Sequence, residues 1–125
     1  MANTIVWADI PVTDLERARK FYGAVLQAEI AMMPGMNSVA LLPGEPGEVS
    51  ADLALTENMK PGTDGTTIYL DSKGDPEGML ERAAAAGGKV LMPVTDMGEM
   101  IGFIGFFLDS EGNRIGVHKP PEGMG

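Results

Sequence analysis

The chain repeats one order of secondary structure twice. Over 125 residues, the apolar, β-branched and turn-forming positions predict strand–helix–strand–strand–strand at about 1–57 and again at about 65–119. Each repeat is too short to bury a sheet of its own, so the two must share a surface. We therefore expect one α+β domain, in which two tandem βαβββ modules form a cupped, eight-strand mixed sheet with the helices outside. A linker at 58–64 joins the modules, and a tail at 120–125 follows them.

Both predicted helices carry signals at their N-termini. Thr13 and Glu16 have the spacing of a capping box, which predicts Thr13 as the N-cap of a helix from about Asp14 to Leu26. Asp75 followed by Pro76 predicts the start of the second helix. The predicted strands are 4–10, 28–33, 38–42, 50–56, 66–70, 89–92, 100–108 and 114–118.

Charge and composition exclude several classes of function. Eighteen acidic residues against nine basic ones give a formal net charge of −9, which opposes binding to nucleic acid or to an anionic membrane surface. The chain has no cysteine, which excludes disulfides, thiolate metal sites and cysteine nucleophiles. No apolar run approaches the length of a membrane span. We expect a cytoplasmic protein whose partner is a small molecule, and the charge does not oppose a cationic one.

Three segments resemble a known superfamily. They are Ile-Pro-Val-Thr-Asp-Leu-Glu-Arg-Ala-Arg-Lys-Phe-Tyr at 10–22, Ala-Ala-Gly-Gly-Lys-Val at 85–90 and Asp-Ser-Glu-Gly-Asn-Arg-Ile at 109–115. Together with the repeated layout, they resemble the vicinal oxygen chelate superfamily, which includes glyoxalases, bleomycin-resistance proteins and extradiol dioxygenases. The resemblance covers essentially the whole chain. It implies a concave binding site and a homodimer, but it does not by itself assign an activity.

The resemblance also implies where a metal would bind. Enzymes of the superfamily hold a divalent metal on inward side chains of strands one, four, five and eight, usually His, Glu or Gln. None of the matching residues here is an ordinary metal ligand, so we expect no metal and no cofactor. The nearby acidic residues of strand four, Asp52 and Glu57, would be ligands only if the register of that strand slips, and we expect both to be exposed to solvent instead. The four matching positions hold Trp7, Ala54, Thr67 and Gly116.

A relocated catalytic site has three weak candidates. Asp9 alternates with Trp7 and His118 alternates with Gly116, so both are able to point into the cup. Glu99 lies in a loop flanked by glycine, from which an acidic side chain reaches a pocket. The simpler interpretation of all three is polar surface: Asp9 and His118 at strand ends and Glu99 in solvent.

The predicted pocket is apolar and rich in methionine. The chain has ten methionines, and a flexible, polarizable side chain suits an irregular aromatic ligand. Met97–Gly102 is expected to be a mobile loop that closes over the pocket. Alternatively, the methionines belong to the core or to a dimer interface. The predicted pocket residues are Trp7, Thr67, Tyr69, Met33, Met97, Met100, Phe103 and Gly116.

These features support three hypotheses for function. The first is a glyoxalase/bleomycin-resistance-like protein that binds a small aromatic or cationic molecule without a metal. The second is a metal-dependent lyase, isomerase or dioxygenase-type enzyme with a relocated site. The third is an interaction module whose cup is filled by its own side chains.

Overall fold

The computed structural model, which describes residues 4–45 and 47–122, contains the two expected modules. The predictions for residues 1–3 and for residues 123–125 of the tail lie outside these described residues. Neither helix is long and apolar enough to cross a membrane within the described ranges. The first module consists of β1 (Trp7–Val12), α1 (Leu15–Leu26), β2 (Ala31–Met32), β3 (Val39–Leu41) and β4 (Ser50–Leu55). The second consists of β5 (Tyr69–Asp71), α2 (Pro76–Ala85), β6 (Lys89–Asp96), β7 (Phe103–Leu108) and β8 (Arg114–Lys119).

The α+β class and the repeated βαβββ order are confirmed, but the strands form two sheets. Their orders are β1-β4-β3-β2 and β5-β8-β7-β6. The pairs β1–β4 and β5–β8 are parallel, and the remaining pairs are antiparallel. A single eight-strand sheet would need further pairing between the edge strands of the two modules. The three-residue β5 offers few backbone groups for this, and side chains of β1 and β5 line a cleft instead.

The start of α1 differs from the predicted capping box. Asp14 is the N-cap, because its side chain accepts a hydrogen bond from the Arg17 amide at 3.0 Å. The amide and the hydroxyl of Thr13 instead donate to Glu111 Oε1, at 2.8 and 3.1 Å. The carboxylate expected from Glu16 is thus supplied by the second module. In α2 the prediction is confirmed, since the Asp75 side chain accepts from the amide of the third helical residue.

Both modules contribute to one apolar core. Phe21 and Tyr22 of α1 are buried, and so is Phe107 of β7. The rings of Phe21 and Phe107 lie 5.8 Å apart between centroids. Burying one such side chain contributes roughly 1.5–3 kcal/mol relative to its exposure. The shared core is what the short length of each repeat required.

Polar contacts also fix one module against the other. The Tyr22 hydroxyl donates to Asp109 Oδ2 at 2.6 Å, joining α1 to the turn between β7 and β8. From the same turn, Asn113 Nδ2 donates to the Pro11 carbonyl of β1 at 2.8 Å. These bonds hold the end of β1 beside the start of β8, and so set the position of the cleft between the modules.

Candidate functional site

A cleft of about 1520 Å³ lies between the two modules. Its walls come from β1 and the start of β4 on one side, and from β5, the segment before it and the start of β8 on the other. It is large enough for a small organic ligand. The polar and aromatic residues that line these walls include Trp7, Asp9, Ser50, Thr67, Tyr69 and Arg114.

The first wall carries an acidic pair beside a tryptophan. Trp7 and Asp9 alternate along β1 and so share one face, while Asp9 pairs in register with Asp52 of β4. The Trp7 indole Nε1 donates to Asp52 Oδ2 at 3.0 Å. The Trp7 side chain stays 41% exposed, whereas Asp52 is only 7% exposed. We call Trp7, Asp9 and Asp52 the acidic wall.

Asp52 is a buried ionisable group with an unpartnered oxygen and a raised pKa. Its Oδ1 atom is buried and has no hydrogen-bond partner among the described residues. Burial raises the pKa of Asp52, the hydrogen bond from Trp7 lowers it, and the neighbouring Asp9 raises it again, giving a value of about 6. The carboxyl therefore changes its charge close to neutral pH.

The prediction that Asp52 is exposed to solvent is wrong, because Asp52 lies on a face of β4 that another side chain covers. In β4, Leu53 faces the core, whereas Asp52 lies on the opposite face with Ala54. The Trp7 side chain covers that face at Asp52, although Trp7 lies 45 residues away in the chain. Glu57 is exposed, as expected. An acidic residue inside the apolar run of β4 was the one available signal of a buried carboxylate.

The second wall carries an arginine among aromatic rings. Arg114 Nη1 donates to Thr67 Oγ1 at 2.7 Å. The guanidinium lies 3.9 Å from the centroid of the Phe106 ring, and Phe106 packs against Tyr69 at 5.7 Å between centroids. Tyr69 remains 47% exposed. We call Thr67, Tyr69 and Arg114 the basic wall.

The side chains at the family's metal positions do not fit a metal. Trp7 and Thr67 are engaged with Asp52 and Arg114. Gly116 lies directly under Tyr69, because a Cβ atom added to it would come within 2.4 Å of the ring. Residues 4–45 and 47–122 contain no group of three His, Asp or Glu side chains placed to hold a metal ion. We therefore derive no reaction step through a metal.

The structure brings together only part of the predicted site. Trp7, Asp9, Thr67 and Tyr69 line the cleft, and Gly116 lies beneath Tyr69. Met79 is the one methionine that lines the cleft within the described chain. The walls are thus aromatic and charged rather than rich in methionine. Predicted site residues that lie elsewhere are Met33, Met97, Met100, Phe103, Glu99 and His118.

Two of these residues have clear alternative roles. Phe103 shares a face of β7 with Gly105 and Phe107. That face packs on α2, since a Cβ atom on Gly105 would meet the Leu80 side chain at 2.9 Å. The Nε2 atom of His118 lies 2.7 Å from the carbonyl oxygen of Ile101. The imidazole therefore contacts the 97–102 loop, and Asp9, Glu99 and His118 do not form one catalytic group.

Two curated proteins are similar to this chain in sequence. Each is called putative glyoxylase CFP32, and they come from Mycobacterium tuberculosis and Mycobacterium bovis. They are 29% identical to this chain over 126 residues, covering 95% of this chain and 46% of theirs. The chain therefore spans about half the length of these relatives.

Solved structures with low sequence identity have the same fold. A glyoxalase-related enzyme from Fulvimarina pelagi matches with a TM-score of 0.71 at 18% identity, covering 94% of this chain and 88% of that one. A mutant of the fosfomycin resistance protein FosX from Listeria monocytogenes, solved with Mn(II) and dihydroxypropylphosphonic acid, matches with a TM-score of 0.64. Its identity is 16%, and the match covers 98% of this chain and 95% of that chain.

The family comparison agrees with the three segments from which the resemblance was drawn. The profile described as Glyoxalase/Bleomycin resistance protein/Dioxygenase superfamily matches residues 4–117. That range includes both modules and every side chain of the acidic and basic walls. The chain therefore belongs to the Glyoxalase/Bleomycin resistance protein/Dioxygenase superfamily.

Proposed function

We propose that this chain binds a small aromatic cation in the cleft, without a metal. The observation that supports this most directly is the acidic wall, where a half-exposed indole lies beside two carboxyl groups. An indole face attracts a cation through its quadrupole, and the exposed carboxylate of Asp9 on the same face adds direct charge attraction.

The second wall supports an aromatic ligand. The Tyr69 ring is also half exposed, so both sides of the cleft present an aromatic surface. Exposed apolar surface within a concave site is typical of a ligand-binding site, and both rings line the same cleft. The open cleft also argues against an interaction module whose cup is filled by its own side chains.

The single tryptophan makes the proposal directly measurable. Trp7 is the only tryptophan of the chain, so its emission reports on the acidic wall. We expect phenethylamine to change this emission and to bind more tightly than 2-phenylethanol, which has similar size and no charge. Asp9→Asn is expected to weaken phenethylamine binding by about tenfold.

The matched control is Glu29→Gln, which removes one negative charge at an exposed position outside the cleft lining. It is expected to leave the affinity for phenethylamine unchanged. Equal affinities for phenethylamine and 2-phenylethanol, or equal effects of the two substitutions, would contradict a specific cation site.

Asp52 favours a second candidate function, general acid–base catalysis. A buried carboxyl with a raised pKa and an unpartnered oxygen, hydrogen-bonded to a residue of the cleft wall, has properties of a catalytic base. Exchange of the α-protons of dihydroxyacetone in heavy water, followed by NMR, tests this activity. We expect exchange above the solvent rate that is lost in Asp52→Asn. An equal rate with and without the protein excludes this base activity toward the probe.

We also propose that the chain forms a homodimer. The exposed apolar side chains of the 97–102 loop support it, with Met100 at 87% exposed. Light scattering after size-exclusion chromatography measures the mass in solution. A monomer at micromolar concentration contradicts the proposal.

A further inference from the structure

Arg114 is a cation without a carboxylate partner in a strongly acidic protein. Acidic residues outnumber Lys and Arg by 18 to 9. The salt bridges of residues 4–45 and 47–122 involve Arg17 and Arg19 only, so Arg114 makes none within these ranges. Arg114 nevertheless lines the cleft and is half-buried. A partly desolvated guanidinium without a counter-charge favours an anionic ligand.

The guanidinium is held in place before any ligand binds. Nη1 donates to Thr67 Oγ1 at 2.7 Å, and the ring of Phe106 lies beneath the guanidinium. Because Thr67 Oγ1 accepts this bond, its own proton is free to point at a ligand. Arg114 and Thr67 thus offer N–H and O–H donors from one wall, with little side-chain ordering left to occur on binding.

The two walls meet at one end of the cleft. Asn113, the residue before Arg114, donates to the carbonyl of Pro11 at 2.8 Å. Asp9 lies two residues before Pro11 on β1, which is about 7 Å along a strand. The strand segment that carries Asp9 therefore lies beside the one that carries Arg114 at this end of the cleft, and both residues line it.

We propose that Arg114 and Thr67 form an anion subsite, so that the cleft takes an aromatic zwitterion with its ammonium at Asp9 and its carboxylate at Arg114. This inference rests on the proposed function, because it adds a second charged group to the aromatic cation. It also narrows the ligand class, since neither a simple amine nor a simple acid satisfies both walls.

Three probes that share one skeleton test the subsite. Phenylalanine carries both charges, phenethylamine lacks the carboxylate, and 3-phenylpropionate lacks the amine. By Trp7 emission and calorimetry at pH 7.5, we expect phenylalanine to bind at least about tenfold more tightly than phenethylamine. Arg114→Gln is expected to abolish that difference, because the carboxylate of phenylalanine then loses its charged partner.

Two further variants keep the test independent of folding and of general charge. Thr67→Val removes one donor and retains Arg114, so it is expected to reduce the preference for phenylalanine over phenethylamine. It replaces Arg114→Gln if that variant does not fold. Lys60→Gln removes a positive charge from an exposed residue of the same cleft. It is expected to leave the preference for phenylalanine intact.

The outcomes separate the two proposals. Equal affinities for phenylalanine and phenethylamine in the natural sequence overturn the anion subsite and leave the aromatic-cation proposal standing. A preference for phenylalanine that survives both Arg114→Gln and Thr67→Val also overturns it. Binding of 3-phenylpropionate that is lost in Arg114→Gln, without any binding of phenethylamine, supports the subsite and contradicts the proposed cation site.

Discussion

The Tyr22 hydroxyl donates to Asp109 Oδ2 at 2.6 Å, between a side chain with no exposed surface and one that is 3% exposed. Tyr22 belongs to α1 of the first module, and Asp109 begins the turn between β7 and β8 of the second. Burial raises the pKa of Tyr22 well above its usual value, and the charge of Asp109 raises it further. The hydroxyl therefore stays protonated and remains a donor across the range in which the protein is folded.

Tyr22→Phe is expected to destabilise the fold by about 1–2 kcal/mol, because it removes one of the two side-chain donors to a buried carboxylate oxygen. The other donor is Asn113 Nδ2, at 3.0 Å. Urea unfolding at pH 7 measures the change. Tyr69→Phe is the matched control, since its half-exposed hydroxyl is expected to contribute less than about 0.5 kcal/mol. Equal losses in the two variants would show that the Tyr22 bond has no special role.

Glu111 is expected to stabilise α1 from the other module. Its Oε1 accepts from the amides of Thr13 and Asp14 at 2.8 and 2.9 Å, and Arg17 Nε donates to Oε2 at 2.7 Å. Burial raises the pKa of Glu111, but the Arg17 guanidinium, these amides and the Ser110 hydroxyl outweigh it and lower the pKa to about 2. Glu111→Gln is expected to cost about 1–3 kcal/mol at pH 7, measured by urea unfolding.

The sign of the pH dependence follows from the lowered pKa. The stabilisation by Glu111 is fully present above the pKa of the unfolded chain, near 4.5, and is lost as the pH falls through that value toward about 2. The difference between the natural sequence and Glu111→Gln is therefore expected to shrink below about pH 4. Glu16→Gln is the control, because its ion pair with Arg19 is largely exposed. If Glu16→Gln lowers the free energy of unfolding more than Glu111→Gln does, the start of α1 is stabilised by the local capping box rather than by Glu111.

Gly116 is expected to be required by Tyr69. A Cβ atom at residue 116 would lie 2.4 Å from the Tyr69 ring, so Gly116→Ala must displace the ring from its contact with Phe106. We expect a loss of about 1–2 kcal/mol in urea unfolding. The same substitution in a Tyr69→Ala background is expected to cost less, because the clash is gone. Strictly additive losses in the double variant would place the strain elsewhere.

Local patterns predicted the framework of the site, while its chemistry depends on distant partners. The resemblance to the superfamily, with its strand-one position counted back from the helix cap, placed Trp7 on the inner face, and the matching strand-five position placed Thr67 there. The apolar run around Asp52 was the one signal that it is buried, and the side chain that covers it lies 45 residues away. Arg114 was missed because its contact with Thr67 spans 47 residues.

The orientation of Phe103 shows a second limit of sequence patterns. β7 reads Phe-Ile-Gly-Phe-Phe-Leu and is apolar on both faces, so its alternation does not indicate which residues face the cleft. Phe103 shares its face of β7 with Gly105, and that face lies toward the helices. Only the packing of Gly105 against α2 identifies that side.

Asp52 is expected to make Trp7 emission depend on pH. Protonation of Asp52 changes the charge next to the indole, so the emission should titrate with a midpoint near the pKa of about 6. The folded protein holds the Asp52 proton more tightly than the unfolded chain does, because the pKa of Asp52 is raised from 3.8 to about 6. The free energy of unfolding is therefore expected to fall as the pH rises from about 4 through 6. Asp52→Asn is expected to remove both effects, and to be more stable than the natural sequence by about 1 kcal/mol at pH 7.

Two variants identify the group that titrates. Asp9→Asn removes the neighbouring charge that raises the pKa of Asp52, so the midpoint should move to lower pH. His118→Gln removes the sole histidine, which lies outside the cleft lining, and should leave the midpoint near 6. A transition that disappears in His118→Gln, or an emission that is constant from about pH 4 to 8, would show that Trp7 does not sense the protonation of Asp52. A midpoint that responds to Asp9 and not to His118 would establish the acidic wall as a coupled pair of carboxyl groups.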